Sequence, residues 1–409
     1  MMKRMKLFCL SFCVVTLIAG VAATDACAQR VMAEKTKIVA KGPESLGPAL
    51  EPYLEKYGLP ALGAAVVKDG RIISIGTVGT RRVGQKIPVT TGDRFHIGSD
   101  TKAMTALIAA MYVEEGKLRW DSSVEEVFPE LKRVMAPGMG SITLEQLLSH
   151  SSGMPGDDEP LFTRLIMESF SRENDNLNDA RYWMLTKWVS RPIAAAPRRR
   201  FAYSNMGYIM VGAMIERVAG RSWEELMVER VFTPLKLKSG GLGPQSTVGR
   251  TDAPLPHKMV DGKVKPMLSG VFSDNPLVLG PAGTAHMSVQ DFARWAAWNA
   301  SAGKQGPRLV RPETLVKLRA AVIDVPEMKS AAPGTPSHGR YALGWGEVKF
   351  AWAREPLIYH AGSNGMNLAL IFFNPNNEFA MVLMTNIGGE KANEALAALA
   401  EELYRKHGK

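Results

Sequence analysis

Apolar residues follow two regimes along the 409-residue chain. Near its start, Leu46, Leu50, Tyr53 and Leu54 recur at helical spacing and predict an amphipathic helix over 44–57. Ala61 to Val67 form an apolar run that predicts a strand, Asp69-Gly70 a hairpin turn, and 71–78 the returning strand. Far downstream, 341–348, 367–373 and 379–385 predict three more strands, with Pro375-Asn376-Asn377 turning between the last two. A closing helix follows over 392–405. Neither group of strands buries two faces alone. The pattern therefore predicts one antiparallel sheet shared by both ends and flanked by the N- and C-terminal helices. Between them, 144–148, 161–189, 207–218, 223–228 and 289–300 carry helical patterns, while 240–275, rich in Gly, Pro and Ser, reads as irregular. The expected fold class is α/β of the α+β type. A sheet lobe, about 40–119 and 301–409, receives an inserted, mostly helical lobe at about 120–300. A cleft between two lobes is a usual place for a substrate.

The first residues read as a targeting segment and not as part of this fold. Lys3, Arg4 and Lys6 precede an apolar run from Leu7 to Ala23, and Ala26-Cys27-Ala28 offers a cleavage site before Gln29. Residues 1–28 thus predict an exported protein, periplasmic or secreted, with no stable membrane span after cleavage. All three cysteines, Cys9, Cys13 and Cys27, lie in this segment. The mature chain is therefore expected to lack a disulfide framework, a cysteine nucleophile and a thiolate metal site. Hydrophobic content of 46% with 22% charge suits a globular enzyme. The net charge of +10 favours polyanions, but there is no basic helix with interleaved aromatics and no zinc-finger spacing. The expected partner is a small-molecule or peptide substrate, with no nucleic acid, no cofactor and no metal.

Candidate chemistry begins at Ile97-Gly98-Ser99-Asp100-Thr101-Lys102. A serine hydroxyl is a poor nucleophile until an adjacent base takes its proton. Met104, Leu107, Ile108, Met111 and Tyr112 recur at helical spacing and put Ser99 at the head of a helix. Positions i and i+3 share a helix face with Cβ atoms roughly 5–6 Å apart, so Lys102 reaches the hydroxyl. Burial there favours the neutral amine, which is the basic form. The Ser99 N–H, unpaired at a helix N-terminus, can point at a developing oxyanion. The same spacing at Ser301-Ala302-Gly303-Lys304 reads as a turn. No serine has glycine at both −2 and +2, which disfavours the α/β-hydrolase elbow.

Two further motifs follow in order, Tyr203-Ser204-Asn205 and His360-Ala361-Gly362. With them, the chain resembles the penicillin-recognising serine hydrolases of the class C β-lactamase type. That group carries Ser-x-x-Lys, Tyr-x-Asn and Lys- or His-x-Gly, and includes DD-carboxypeptidases, D-amino-acid peptidases and β-lactamase-like carboxylesterases. The resemblance extends to Leu147-Leu148-Ser149-His150-Ser151-Ser152-Gly153-Met154-Pro155 and Gly280-Pro281-Ala282-Gly283, and makes 29–409 one such domain. It implies Ser99 as nucleophile, activated by the Lys102 and Tyr203 pair, with Tyr203 protonating the leaving group. Which of the two holds the proton stays open. Asn205 is expected to hold the substrate amide and Lys102. His360, standing where class C β-lactamases carry lysine, is expected to bind substrate in its neutral or cationic form. Gly362, on a strand taken as an edge, lets a substrate backbone approach, and the Ser363 N–H supplies the second oxyanion donor. The His-x-Gly form fits the peptidase and esterase members better than true class C β-lactamases. The expected reaction proceeds through acyl-Ser99 on a D-alanyl peptide, a β-lactam or a short ester. One alternative is a carboxylesterase with little β-lactam activity; another is a non-catalytic envelope protein of the same fold. Pro197-Arg198-Arg199-Arg200 offers either a carboxylate-binding cation or a solvated basic turn, and His150 and His286 read as structural.

Overall fold

Alternating side chains build the fold around a nine-stranded sheet. Within Ala61–Lys68, Leu62, Ala64 and Val66 enter one core while Ala61, Ala65 and Val67 enter another, as the two-residue repeat of a strand requires. The computed structural model describes residues 42–172, 176–268, 273–329 and 331–408. The expected export segment, 1–28, lies outside the described residues.

The sheet order is Glu44–Ser45, Arg71–Gly79, Ala61–Lys68, Phe379–Thr385, Leu368–Asn374, Leu357–Ser363, Gly346–Val348, Gly339–Tyr341 and Ile323–Val325. Every pairing in it is antiparallel except the short first one. The two ends of the chain meet at its centre, with Ala65 opposite Val382. The Gly47–Tyr57 and Glu390–His407 helices cover one face through Leu50, Leu396, Leu399 and Leu403. On the other face lie Val289–Ala300 and Thr101–Glu114. The latter helix buries Met104, Leu107, Ile108 and Met111 together with four alanines. It is apolar nearly all round, as a central helix must be.

Three expectations change in detail. The run 341–348 is not one strand but two, Gly339–Tyr341 and Gly346–Val348, because the chain turns at Gly344, whose φ of +80° suits glycine. Residues 161–189 divide into Pro160–Ser169 and Leu177–Trp188. The segment read as irregular contains a hairpin, His257–Val260 with Lys263–Pro266, closed by Asp261-Gly262. Asp-Gly is the same turn signal recognised earlier at Asp69-Gly70.

A buried ion cluster ties the helices behind the site. The fully buried Arg181 guanidinium bonds both oxygens of Glu216 at 2.5–3.1 Å and both oxygens of Glu224 at 2.7–3.0 Å. Glu216 also accepts the Trp223 N–H at 2.9 Å. Truncating Arg181 strands two carboxylates, one of them buried, so Arg181→Ala is expected to lose about 3–5 kcal/mol of stability. Chemical denaturation of both proteins measures it; an unchanged midpoint would remove the cluster from the stability argument. Among the described residues, no helix is long and apolar enough to cross a membrane.

Candidate active site

The turn that carries Ser99 is clamped before any side chain is considered. Arg94–His96 leads into a tight turn, Gly98–Asp100, and then into the Thr101–Glu114 helix. Gly98 has φ +50°, and a Cβ there falls 2.4 Å from the Ser363 nitrogen. A Cβ on Gly362 falls 1.9 Å from the Ile97 oxygen and 2.7 Å from the Ser99 nitrogen. The turn and the Leu357–Ser363 strand therefore press backbone to backbone. This changes the expected role of Gly362: the close approach that its missing Cβ permits is that of the Ser99 turn's own backbone. The strand is an edge only over its last residues. Its first half pairs with Gly346–Val348, but that partner ends opposite Tyr359, leaving only 360–363 open on that side. Behind the turn, the Gly98 N–H donates to His96 Nδ1 at 3.0 Å, and His96 Nε2 lies 3.0 Å from Asp274 Oδ1. Burial favours the protonated acid at Asp274, yet the adjoining His96 and hydrogen bonds from His96, Asn364 and Asn275 hold it below the usual carboxylate range.

Lys102 is wholly buried beneath Ser99. Its Nζ lies 3.0 Å from Ser99 Oγ, 2.6 Å from Asn205 Oδ1 and 2.6 Å from the Ala282 carbonyl oxygen. Burial lowers its pKa to about 7, against the pull of Asp157 and Asp100. Tyr203 precedes the Asn205–Ala219 helix, whose N-cap, Ser204, accepts the Gly207 N–H at 3.2 Å. The Tyr203 ring lies 4.8 Å from Lys102 Nζ and packs on His150 at 4.3 Å. Burial pushes the Tyr203 phenol well above its ordinary value, and the Ser99 hydroxyl offsets this only in part. The pair is thus poised with the proton on the phenol and a lysine able to be neutral.

His360 does not reach the cleft. Strand alternation sends Tyr359 and Ala361 toward the terminal helices and turns His360 under the Ser99 turn. There its Nε2 meets the Tyr341 hydroxyl at 2.9 Å and its Nδ1 lies 3.4 Å from Asp100 Oδ1. Burial, then the Lys102 charge, lowers its pKa to about 3, so it is neutral. Burial pushes the Asp100 carboxyl well above its usual range. The expected substrate-binding role of His360 is therefore replaced by a supporting one.

A cavity of about 970 Å³ opens over the serine, lined by Ser99, Tyr203, Asn205, Ser363, Asp157 and Arg200 among others. The Ser363 hydroxyl donates to the Asn367 carbonyl at 2.7 Å, which fixes the end of the strand. Arg200 reaches the cavity, while Arg198 pairs with Glu145 at 3.3 Å. His150 accepts the Ser204 N–H at 3.1 Å, and His286 lies 2.9 Å from the Gly243 oxygen. Lys304 of the second Ser-x-x-Lys turns to Glu378 at the surface. Asp157, which binds Asn205, was not anticipated; its only signal was an acidic pair, Asp157-Asp158, just after the Ser151-Ser152-Gly153 motif. Among the described residues, no group of three potential ligands could hold a metal.

Comparison with known proteins bears on the family and the fold. The family model for Beta-lactamase matches residues 46–405. Protein flp of Staphylococcus aureus (strain MW2) is 25% identical over 348 residues, covering 83% of this chain; the chain spans 62% of that relative's length. Penicillin-binding protein 4 of Amycolatopsis lactamdurans is 25% identical over 337 residues, covering 81% of this chain and 82% of the relative. Among solved structures, the octameric penicillin-binding protein homologue from Pyrococcus abyssi superposes with a TM-score of 0.68 at 24% identity, covering 88% of this chain and 76% of its own. D-amino acid amidase from Ochrobactrum anthropi SV3, complexed with L-phenylalanine, gives 0.69 at 18% identity, covering 88% and 99%. The structural likenesses concern the fold.

Proposed function

The chain belongs to the beta-lactamase family, and on that premise we propose that it is a serine hydrolase working through an acyl-enzyme at Ser99. One observation carries the reading. A neutral amine has two hydrogens and one lone pair; here Asn205 Oδ1 and the Ala282 carbonyl, both at 2.6 Å, accept the two hydrogens. The lone pair is left facing Ser99 Oγ at 3.0 Å.

In the proposed sequence, Lys102 takes the Ser99 proton as Oγ attacks the substrate carbonyl carbon. The Ser99 and Ser363 N–H groups hold the oxyanion. Tyr203, kept protonated by burial, gives its proton to the leaving nitrogen or oxygen and is reprotonated from Lys102. Water then cleaves the acyl-serine ester, releasing the acid and restoring the hydroxyl. Amides and esters both fit this chemistry; a penicillin-binding relative and a D-amino acid amidase neighbour make β-lactams and D-amino-acid amides candidates, beside the D-alanyl peptides expected from the sequence motifs. The neutral, inward His360 leaves the Leu357–Ser363 strand without a cation for a substrate carboxylate. A substrate carboxylate would therefore have to meet Arg200, which lines the cavity.

Incubation with a fluorescent penicillin and with a nitrophenyl ester tests the reading. Covalent label is expected on wild type and none on Ser99→Ala. Wild type refusing both probes, or equal labelling of the variant, would reject the acyl-serine route.

A further inference from the structure

Asp157 is a half-buried carboxylate that these steps do not consume. Both of its oxygens bond Asn205: Oδ1 accepts the backbone N–H at 2.7 Å and Oδ2 accepts Nδ2 at 2.6 Å, and the Met206 backbone N–H also bonds the carboxylate. We propose that Asp157 is a positioning residue that fixes the polarity of the Asn205 amide and, through it, aims the Lys102 lone pair at Ser99. This rests on the reading of Lys102 as the base.

A side-chain amide has one donating end and one accepting end. Burial raises the Asp157 carboxyl to about 6, so it is ionised from neutral pH upward; an ionised carboxylate only accepts, and the end facing Asp157 must then be the NH₂. The amide oxygen is then left for Lys102 Nζ, at 2.6 Å. Turned over, the amide would present its NH₂ to Lys102. The amine lone pair would accept that hydrogen, and Ser99 would keep its proton. Among the described residues, the Asn205 side chain bonds only Asp157 and Lys102, so the carboxylate is what decides between the two orientations. The backbone N–H at Oδ1 holds the carboxylate itself in register at the start of the Asn205–Ala219 helix, where that helix end favours negative charge.

Other groups surround Lys102 without replacing this function. Asp100 approaches from the Ser99 turn, and Tyr203 and Tyr208 present their rings at 4.8 and 5.3 Å. His150 and His360 both feel the lysine charge. Burial favours the neutral form of Asp100 and of both histidines. Asp157 is the acidic group that bonds the lysine's own acceptor.

Single-turnover acylation by a p-nitrophenyl ester, followed from about pH 5 to about pH 10, tests the proposal on three proteins: wild type, Asp157→Asn, and Asp157→Asn with Asn205→Asp. In the single variant, the new amide keeps its oxygen on the Asn205 backbone N–H and offers NH₂ to the Asn205 side chain, which turns over. Acylation is expected to fall about 100-fold at neutral and alkaline pH, where the wild-type Asp157 is ionised, and by less near pH 5, with KM little changed. In the double variant, the residue at 205 accepts from both sides and faces Lys102 with an oxygen again. Most of the rate is expected to return, with the pH midpoint moved upward because a full carboxylate now touches the ammonium. A structural loss would not be rescued in this way. A single variant with wild-type rate and midpoint would overturn the proposal, as would a double variant no faster than the single. Peptide mapping of the ester adduct separates the two failures. Label absent from Ser99 in wild type sinks the base reading and the proposal with it; label present on Ser99 with an indifferent Asp157→Asn sinks the proposal alone.

Discussion

Lys102→Ala is expected to slow acylation of Ser99 by about 10²–10⁴-fold, the range for a lost general base. The loss should be accompanied by a change in pH dependence. The amine is effective only when neutral, and its pKa is held at about 7. The wild-type rate should therefore rise through neutrality and level off above it, losing about tenfold per pH unit on the acid side. Tyr203 lies far above its ordinary range, so no alkaline decline is expected from the phenol until strongly basic conditions. In Lys102→Ala, the rise near pH 7 should be absent. Lys102→Arg separates charge from basicity, since a guanidinium does not deprotonate in this range. It should be as slow as the alanine variant. Stopped-flow release of nitrophenol across the pH range reads all three proteins. A Lys102→Arg enzyme with wild-type rate and midpoint would show that the lysine acts as a fixed charge instead of a base.

Gly362→Ala is expected to cost at least about 100-fold in turnover, the penalty for displacing reacting groups by about 1 Å. The added Cβ would sit 1.9 Å from the Ile97 oxygen and 2.7–2.8 Å from the Ser99 and Asp100 nitrogens. All three are backbone atoms in a buried turn, so relief requires the turn to leave the strand. That movement parts the two N–H groups proposed to hold the oxyanion and draws Ser99 from Lys102. Overpacking of this kind also destabilises by about 1–3 kcal/mol. Gly92→Ala is the matched control, because a Cβ there meets nothing nearer than 3.8 Å. Turnover and thermal midpoint measured side by side check this; a Gly362→Ala enzyme of near wild-type turnover would mean that the contact bears no functional strain.

Much of the fold could be read in the sequence because its strands and terminal helices carry strong local patterns. The unbroken apolar run of 61–67 reports a strand covered on both sides, the stripe of Leu46, Leu50, Tyr53 and Leu54 reports one helix face, and faces dictate layers. Ser99, Lys102, Tyr203 and Asn205 were accessible for a similar reason, as short spacings and ordered motifs. What escaped depends on contacts between distant segments. Nothing local tells that His360 turns inward onto Asp100 and Tyr341, since strand phase is set by which neighbours the sheet acquires. Gly362 looked like room for a ligand because the sequence does not say whose backbone fills the space. Asp157 stood in an acidic pair, and only the fold brings it to Asn205. The Asp261-Gly262 turn was legible but was lost among glycines, prolines and serines.

The central pairing joins residues from opposite ends of the polypeptide: the Thr385 hydroxyl donates to the Ala61 carbonyl across 324 positions of sequence. A ribosome that has made Ser99, Lys102, Tyr203 and Asn205 has still not supplied the strands that close the sheet and brace the serine. Such non-local closure makes for slow folding. The chain stays chemically idle until its final strands are in place.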